Sequence, residues 1–255
     1  MPSNVGMRPG EELAGKVALV TGGARNIGRA IARSLAAGGA SVMVNAKTSK
    51  AMAEETVKMI GASADLCIAD VTKPPEVKAL VEATVKRFGR LDILVNNAAI
   101  RMETPFEQIK LEDWRNVLAT ILDAAFICSQ ACLPHLAKSG GGTIINIGGL
   151  TGHRGATGRA HVIAAKSGLA GFTKALALDL APQRITVNCV VPGTIDSQRG
   201  LPGVPERPAH RAAPPPIGRR GEPEEIAAMV RMLCGPDARY VTGQSIHVNG
   251  GGYLP

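Results

Sequence analysis

The first stretch whose residue types and spacing could do chemistry lies near the start of the chain. There the apolar run Lys16–Val20 leads into Thr21-Gly22-Gly23-Ala24-Arg25-Asn26-Ile27-Gly28, and helical spacing follows from Ile27 to Leu35. A turn of small residues between a strand and a helix lets backbone N–H groups come close to a pyrophosphate, and the helix N-terminus faces it. Gly22, Arg25, Asn26, Ile27 and Gly28 are therefore the expected phosphate cradle of a dinucleotide site. Asn26 suits such a turn, because asparagine is the non-glycine residue best able to adopt positive φ. The cysteines suggest no second chemistry. Cys67, Cys128, Cys132, Cys189 and Cys234 are odd in number and scattered without a C-x-x-C, which reads as reduced core thiols and predicts no metal site.

A cradle of this kind needs a sheet to carry it, and the remaining sequence supplies one. Short apolar runs at Ser41–Asn45, Asp65–Ala69, Ile93–Asn96, Gly142–Ile147, Ile185–Val191 and Ser245–Val248 alternate with helical stretches at 49–60, 74–88, 111–138, 158–180 and 222–234. Continuous apolar strands separated by helices predict a parallel sheet covered on both faces. With right-handed crossovers this is an α/β, doubly wound fold of about seven strands, in one domain over residues 1–255. Ligands of such a sheet bind beyond the carboxyl ends of the strands, where the strand order reverses.

Composition narrows the partners. Of 255 residues 45% are hydrophobic and only 3% aromatic, so recognition of nucleic acid by base stacking is not expected. No apolar run is expected to reach a bilayer-spanning length, and the polar start, residues 1–15, has no signal-peptide core; a cytoplasmic location follows. The formal net charge is +8, and half of it lies in 197–220, where Arg199, Arg207, Arg211, Arg219 and Arg220 face one acidic residue, Glu206. That basic, proline-rich segment suggests a small anionic substrate.

The glycine turn, Asp70-Val71, Asn96-Asn97-Ala98-Ala99, Pro192-Gly193 and the end Val241-Thr242-Gly243-Gln244 through Asn249-Gly250-Gly251 occur in an order that resembles the short-chain dehydrogenase/reductase family. The resemblance runs from about Lys16 to Gly252 and is closest to the 3-oxoacyl carrier-protein reductase branch. It implies a Rossmann fold binding a nicotinamide dinucleotide. Asp70 and Val71 would flank the adenine, Asn97 would lie along the adenosine ribose, and Lys166 would hold the nicotinamide ribose. The backbone of Pro192, Gly193 and Ile195 would face the carboxamide, and 197–220 would be the variable substrate lid. An acidic residue ending the second strand would repel a 2′-phosphate. Asn45 stands there, with Lys47 after it and Arg25 in the turn, so NADP(H) is expected over NAD(H).

The same resemblance exposes a departure. The family works with Ser, Tyr, Lys and an Asn, the tyrosine four residues before the lysine so that one helix face presents both. Lys166 is present, but Val162 stands at the tyrosine position, Gly149 at the serine position and Ile121 at the asparagine position. The expectation is an NADP(H)-dependent oxidoreductase using a non-standard proton route, with Lys166 the retained catalytic residue and His153 and His161 as substitute donors. Two alternatives compete with it: a non-redox lyase, isomerase or hydrolase keeping the nucleotide as a fixed part, and a non-catalytic subunit paired with an active homologue. Assembly through the helices 111–138 and 158–180 would make a homodimer or homotetramer.

Overall fold

Strands without polar alternation require cover on both faces. In the computed structural model, which describes residues 10–197 and 214–255, β1 (Val17–Val20), β4 (Ile93–Asn96), β5 (Gly142–Ile147) and β6 (Ile185–Pro192) are buried at every position. β2 (Ser41–Ala46), β3 (Ala64–Ile68) and β7 (Ser245–Val248) complete a seven-stranded sheet of order β3-β2-β1-β4-β5-β6-β7, parallel throughout. The order reverses between β1 and β4, so the crevice of the fold opens above these two strands.

Helices cover both sides, as the alternating pattern predicts. α1 (Asn26–Ala37), α2 (Lys50–Ile60) and α8 (Pro223–Cys234) bury Ile31, Leu35, Ala53, Ile226 and Val230 against one face. α3 (Pro74–Phe88), α5 (Ala124–Lys138) and α7 (Ala160–Leu180) bury Leu80, Cys132, Leu136 and Ala177 against the other. This is the single-domain, doubly wound α/β fold.

Three local features differ from the pattern. The long helix from residue 111 begins as α4 (Leu111–Leu118) and passes through a π-helical turn, Ala119–Asp123, before α5. By length and composition Leu111–Lys138 is apolar enough to cross a membrane, contrary to expectation, because its apolar residues outweigh the scattered polar ones, Thr120, Asp123, Ser129 and Gln130, that break the run. Here its buried residues Ala124, Cys128, Cys132 and Leu136 pack in the core. α6 (Thr151–Arg154) is a single turn, too short for periodicity to reveal. α7 starts at Ala160, not Gly158, since Gly158 has φ +67° and its carbonyl accepts the Thr104 N–H.

A buried polar chain fixes the long helices to the sheet. Asn96 Nδ2 donates to Asn146 Oδ1 (2.9 Å) and to Ser129 Oγ (3.3 Å), and Asn146 Nδ2 donates to Thr173 Oγ1 (2.9 Å). β4, β5, α5 and α7 are thereby tied at one level. Asn146→Leu would cost Asn96 and Thr173 one bond each inside the core, leaving Asn96 its bond to Ser129 and Thr173 its bond to the Leu169 carbonyl, at about 0.5–1.5 kcal/mol for each bond lost. A fall in thermal midpoint is the expected result, and an unchanged melting curve would show that the chain adds nothing to stability.

Candidate active site

The crevice above β1 and β4 is shaped by the glycine turn. Gly22 and Asn26 have φ of +61° and +50°, the left-handed conformation that glycine and asparagine best tolerate. Gly28 packs so tightly that a Cβ there would lie 2.3 Å from the Gly22 carbonyl oxygen. Thr21 and Asn97 lock the turn from β4: Thr21 Oγ1 accepts the Asn97 and Ala98 N–H groups, and Asn97 Nδ2 donates to the Thr21 and Gly22 carbonyls. α1 opens with no acidic residue in its first turn and no side-chain cap, which leaves its positive end for an anion. Turn, close approach and uncapped helix together fit a dinucleotide phosphate.

The adenosine end is more occupied than its sequence suggests. Asn45 is buried; its Oδ1 accepts the Gly22 N–H (3.4 Å) and its Nδ2 donates to the Cys67 (3.3 Å) and Ala69 (3.0 Å) carbonyls. It ties the turn to the ends of β2 and β3. Lys47 pairs with Asp70 at 2.7 Å. Burial alone would raise the Asp70 pKa, but hydrogen bonds from Lys47 and Thr72 hold it down to about 2. Asp70 is thus an anion that Lys47 largely neutralises. Val71 is buried beside it, and Arg25 is exposed, with no ion pair among the described residues.

Lys166 stands across the crevice on α7. Its stem passes Gly152, where a Cβ would meet Lys166 Cβ at 3.1 Å, and Gly149, where a Cβ would lie 3.8 Å from Lys166 Cγ. Its ammonium donates to the carbonyl of Ile147 at the end of β5. Beside it, Val117, Ile121 and Ala165 form a buried cluster against which Met102, Leu118 and Val162 pack. Ile121 lies within the π-helical turn.

The two histidines singled out in the sequence do not share this wall with equal access. His161 is completely buried, and neither ring nitrogen has a partner. His153, on α6, stacks edge-on with His247 at 4.6 Å between centroids, and Tyr253 joins them, 5.1 Å from His247. Burial and the charge of Lys174 push the His153 pKa down; burial and His153 do the same to His247. The sequence reading passed over His247, though alternation in Ser245–Val248 turns it away from Ile246 and Val248, which pack on the α8 side. Nothing local marks Tyr253.

Beyond β6, Pro192 accepts the Leu150 N–H, and Gly193 donates to Val248. Ile195 bridges to Gly221 beside a cavity of about 300 Å³ lined by Ile195, Ile217, His247 and Asn249. Within the basic segment, Arg199, Arg207, Arg211 and Glu206 lie outside the described residues. Arg219 is held by both carboxylate oxygens of Glu225 at 2.8 and 2.7 Å.

Comparison with known proteins agrees with this geometry. Residues 22–252 match the family model described as Enoyl-(Acyl carrier protein) reductase. The 3-oxoacyl-(acyl-carrier-protein) reductase FabG of Vibrio cholerae is 41% identical over 242 residues, covering 95% of this chain and 99% of that protein. Its counterpart from Escherichia coli is 41% identical over 240 residues, covering 94% and 98%. The 3-ketoacyl-(acyl-carrier-protein) reductase from Brucella melitensis, solved in complex with NADH, superposes with a TM-score of 0.88 at 30% identity, covering 95% of this chain and 100% of that one. A Serratia marcescens short-chain dehydrogenase/reductase variant has the same TM-score at 36% identity, again over 95% and 100%. The chain belongs to the short-chain dehydrogenase/reductase family, in the branch of the 3-oxoacyl-(acyl-carrier-protein) reductases.

Proposed function

We propose that this protein is an NADP(H)-dependent oxidoreductase that interconverts a carbonyl and an alcohol, the carbonyl substrate being of the 3-oxoacyl kind, by a proton route that differs from its family's. The observation that carries the reading is the phosphate cradle: positive-φ Gly22 and Asn26, the close packing of Gly28 and the uncapped start of α1. Bound there, the nicotinamide nucleotide supplies or accepts a hydride. Gly22, Asn26, Ile27 and Gly28 hold its pyrophosphate, Arg25 reaches past the turn to the 2′-phosphate, and Asp70 and Val71 border its adenine. Asn97 and Asn45 serve by bracing the turn. Pro192, Gly193 and Ile195 present backbone to the carboxamide, and Lys166 reaches the ribose.

The departure from the family lies at Gly149, Val162 and Ile121, read as replacements of the serine, tyrosine and asparagine. None of them has a side chain that can move a proton. Exposed Phe126 and Leu178, on α5 and α7, support a homodimer or homotetramer, and a cytoplasmic enzyme is the matching setting.

Preference for NADP(H) rests on Arg25, because Lys47 is engaged by Asp70. A charge-assisted contact to a 2′-phosphate contributes roughly 1.5–3 kcal/mol, and 1.4 kcal/mol is tenfold in affinity. Arg25→Ala is therefore expected to weaken NADPH binding about tenfold or more and to leave NADH binding unchanged. Equal losses for both nucleotides in a fluorescence titration would remove the NADP(H) assignment.

Turnover tests the whole reading. Purified protein with NADPH and a panel of 3-oxoacyl thioesters should oxidise the nucleotide, followed by its absorbance. A second reading, a nucleotide-binding subunit without chemistry, draws on the buried Ile121 and the apolar Val162 packed against its cluster. It predicts nucleotide binding with no turnover on any member of the panel.

A further inference from the structure

Resting on the reductase reading, we infer that Lys166 is itself the acid that protonates the substrate oxygen, in place of a phenol acting beside it. Three observations lead there. The first is the path of the side chain. Its stem runs between two glycines, 149 and 152, and its ammonium ends on the Ile147 carbonyl at the carboxyl edge of the sheet, with the residue only 9% exposed. The second is the chemistry of the neighbours. Gly149, Val162, Ile121 and Ala165 present no side-chain proton donor to this space.

The third is that other titratable groups nearby are poorly placed. Cys189 lies under Gly148, and burial pushes its thiol up to about 11 despite the pull of Lys166. His161 is enclosed, and His153 faces His247 and Tyr253.

An ammonium is suited to the task by acid strength. Unperturbed lysine and tyrosine have pKa values of about 10.4 and 10, so either can protonate an alkoxide, and the ammonium adds a positive charge beside the developing oxyanion. Reach is adequate too. Val162 sits one helical turn before Lys166, with Cβ atoms about 5–6 Å apart at that spacing, and a flexible four-carbon stem covers the distance. In reduction the carbonyl carbon gains the hydride of the reduced nicotinamide. The C=O π pair moves onto oxygen, and that oxygen takes a proton from Lys166 Nζ. The dinucleotide leaves oxidised, and the neutral amine regains its proton from water.

The test uses Lys166→Ala and Lys166→Arg in the full-length protein. Arginine keeps the charge and the contact to a ribose, but its pKa of about 12.5–13.8 makes it a far weaker acid. Both variants should lose kcat by about 10²–10⁴-fold, while Lys166→Arg, which keeps the ribose contact, moves the Kd for NADPH, read by nucleotide fluorescence, less than about tenfold. Added ethylammonium should restore the rate of Lys166→Ala in proportion to its concentration and leave Lys166→Arg slow. An active wild type whose Lys166→Arg variant keeps its kcat overturns this proposal alone, as does a Lys166→Ala variant that binds NADPH and is not rescued. A wild type silent on every thioester removes the reductase reading, and this proposal with it.

Discussion

Gly149→Ser combined with Val162→Tyr is expected to raise kcat/KM for a 3-oxoacyl thioester by at least about 10²-fold. The serine position has room: a Cβ on Gly149 would lie 3.8 and 4.0 Å from Lys166 Cγ and Cδ, ordinary contact distances. Val162 is only partly buried, so a ring there can project along α7 toward the crevice. It would share a helix face with Lys166, whose charge would lower the phenol pKa. A positioned acid contributes about 10²–10⁴-fold, and one hydrogen-bond donor to a developing oxyanion about 10²–10³-fold. Steady-state rates with NADPH decide the matter. A folded double variant that binds NADPH and gains less than tenfold would mean that Gly149 and Val162 are not where the family's machinery was lost.

The second large effect concerns the cradle. Gly28→Ala places a methyl group 2.3 Å from the Gly22 carbonyl oxygen and 2.6 Å from Asn97 Nδ2. The first of these is backbone, held by the Asn97 bonds to Thr21 and Gly22, so the turn must open or the helix must retreat. Overpacking of this kind costs about 1–3 kcal/mol, and for a chain of this size each kcal/mol shifts the thermal midpoint by roughly 2–4 °C. Nucleotide affinity should fall more steeply, by about 10²-fold or more, since the phosphate-facing N–H groups lose their common aim. Calorimetric titration with NADPH, set beside a melting curve, separates the two losses. Unchanged affinity in the variant would place the phosphates somewhere other than this turn.

Several elements were legible because one local rule decided each of them. The run Val17–Val20 is apolar without alternation and is buried throughout. The glycine turn announced itself by its place between a strand and a helix. The π-helical turn at 119–123 was not legible, since an apolar stretch reads the same whether its carbonyls bond four or five residues on. α6 was too short to carry a period. Charge misled at Lys47, because its neutralising partner, Asp70, comes from the next strand's end, 23 positions later in the chain.

From the residues alone came the fold class, the strand–turn–helix proposed to cradle phosphate, and the absence of hydroxyl groups at positions 149 and 162. All three follow from residue type and near neighbours. Tertiary structure decided which groups are available to a ligand: Asn45 and Asn97 turn inward to brace the cradle, Arg219 closes on Glu225, His161 is shut away, and His153 meets His247 and Tyr253. Availability depends on burial and on partners brought from distant parts of the chain, and neither is a property of a residue's own place in the sequence.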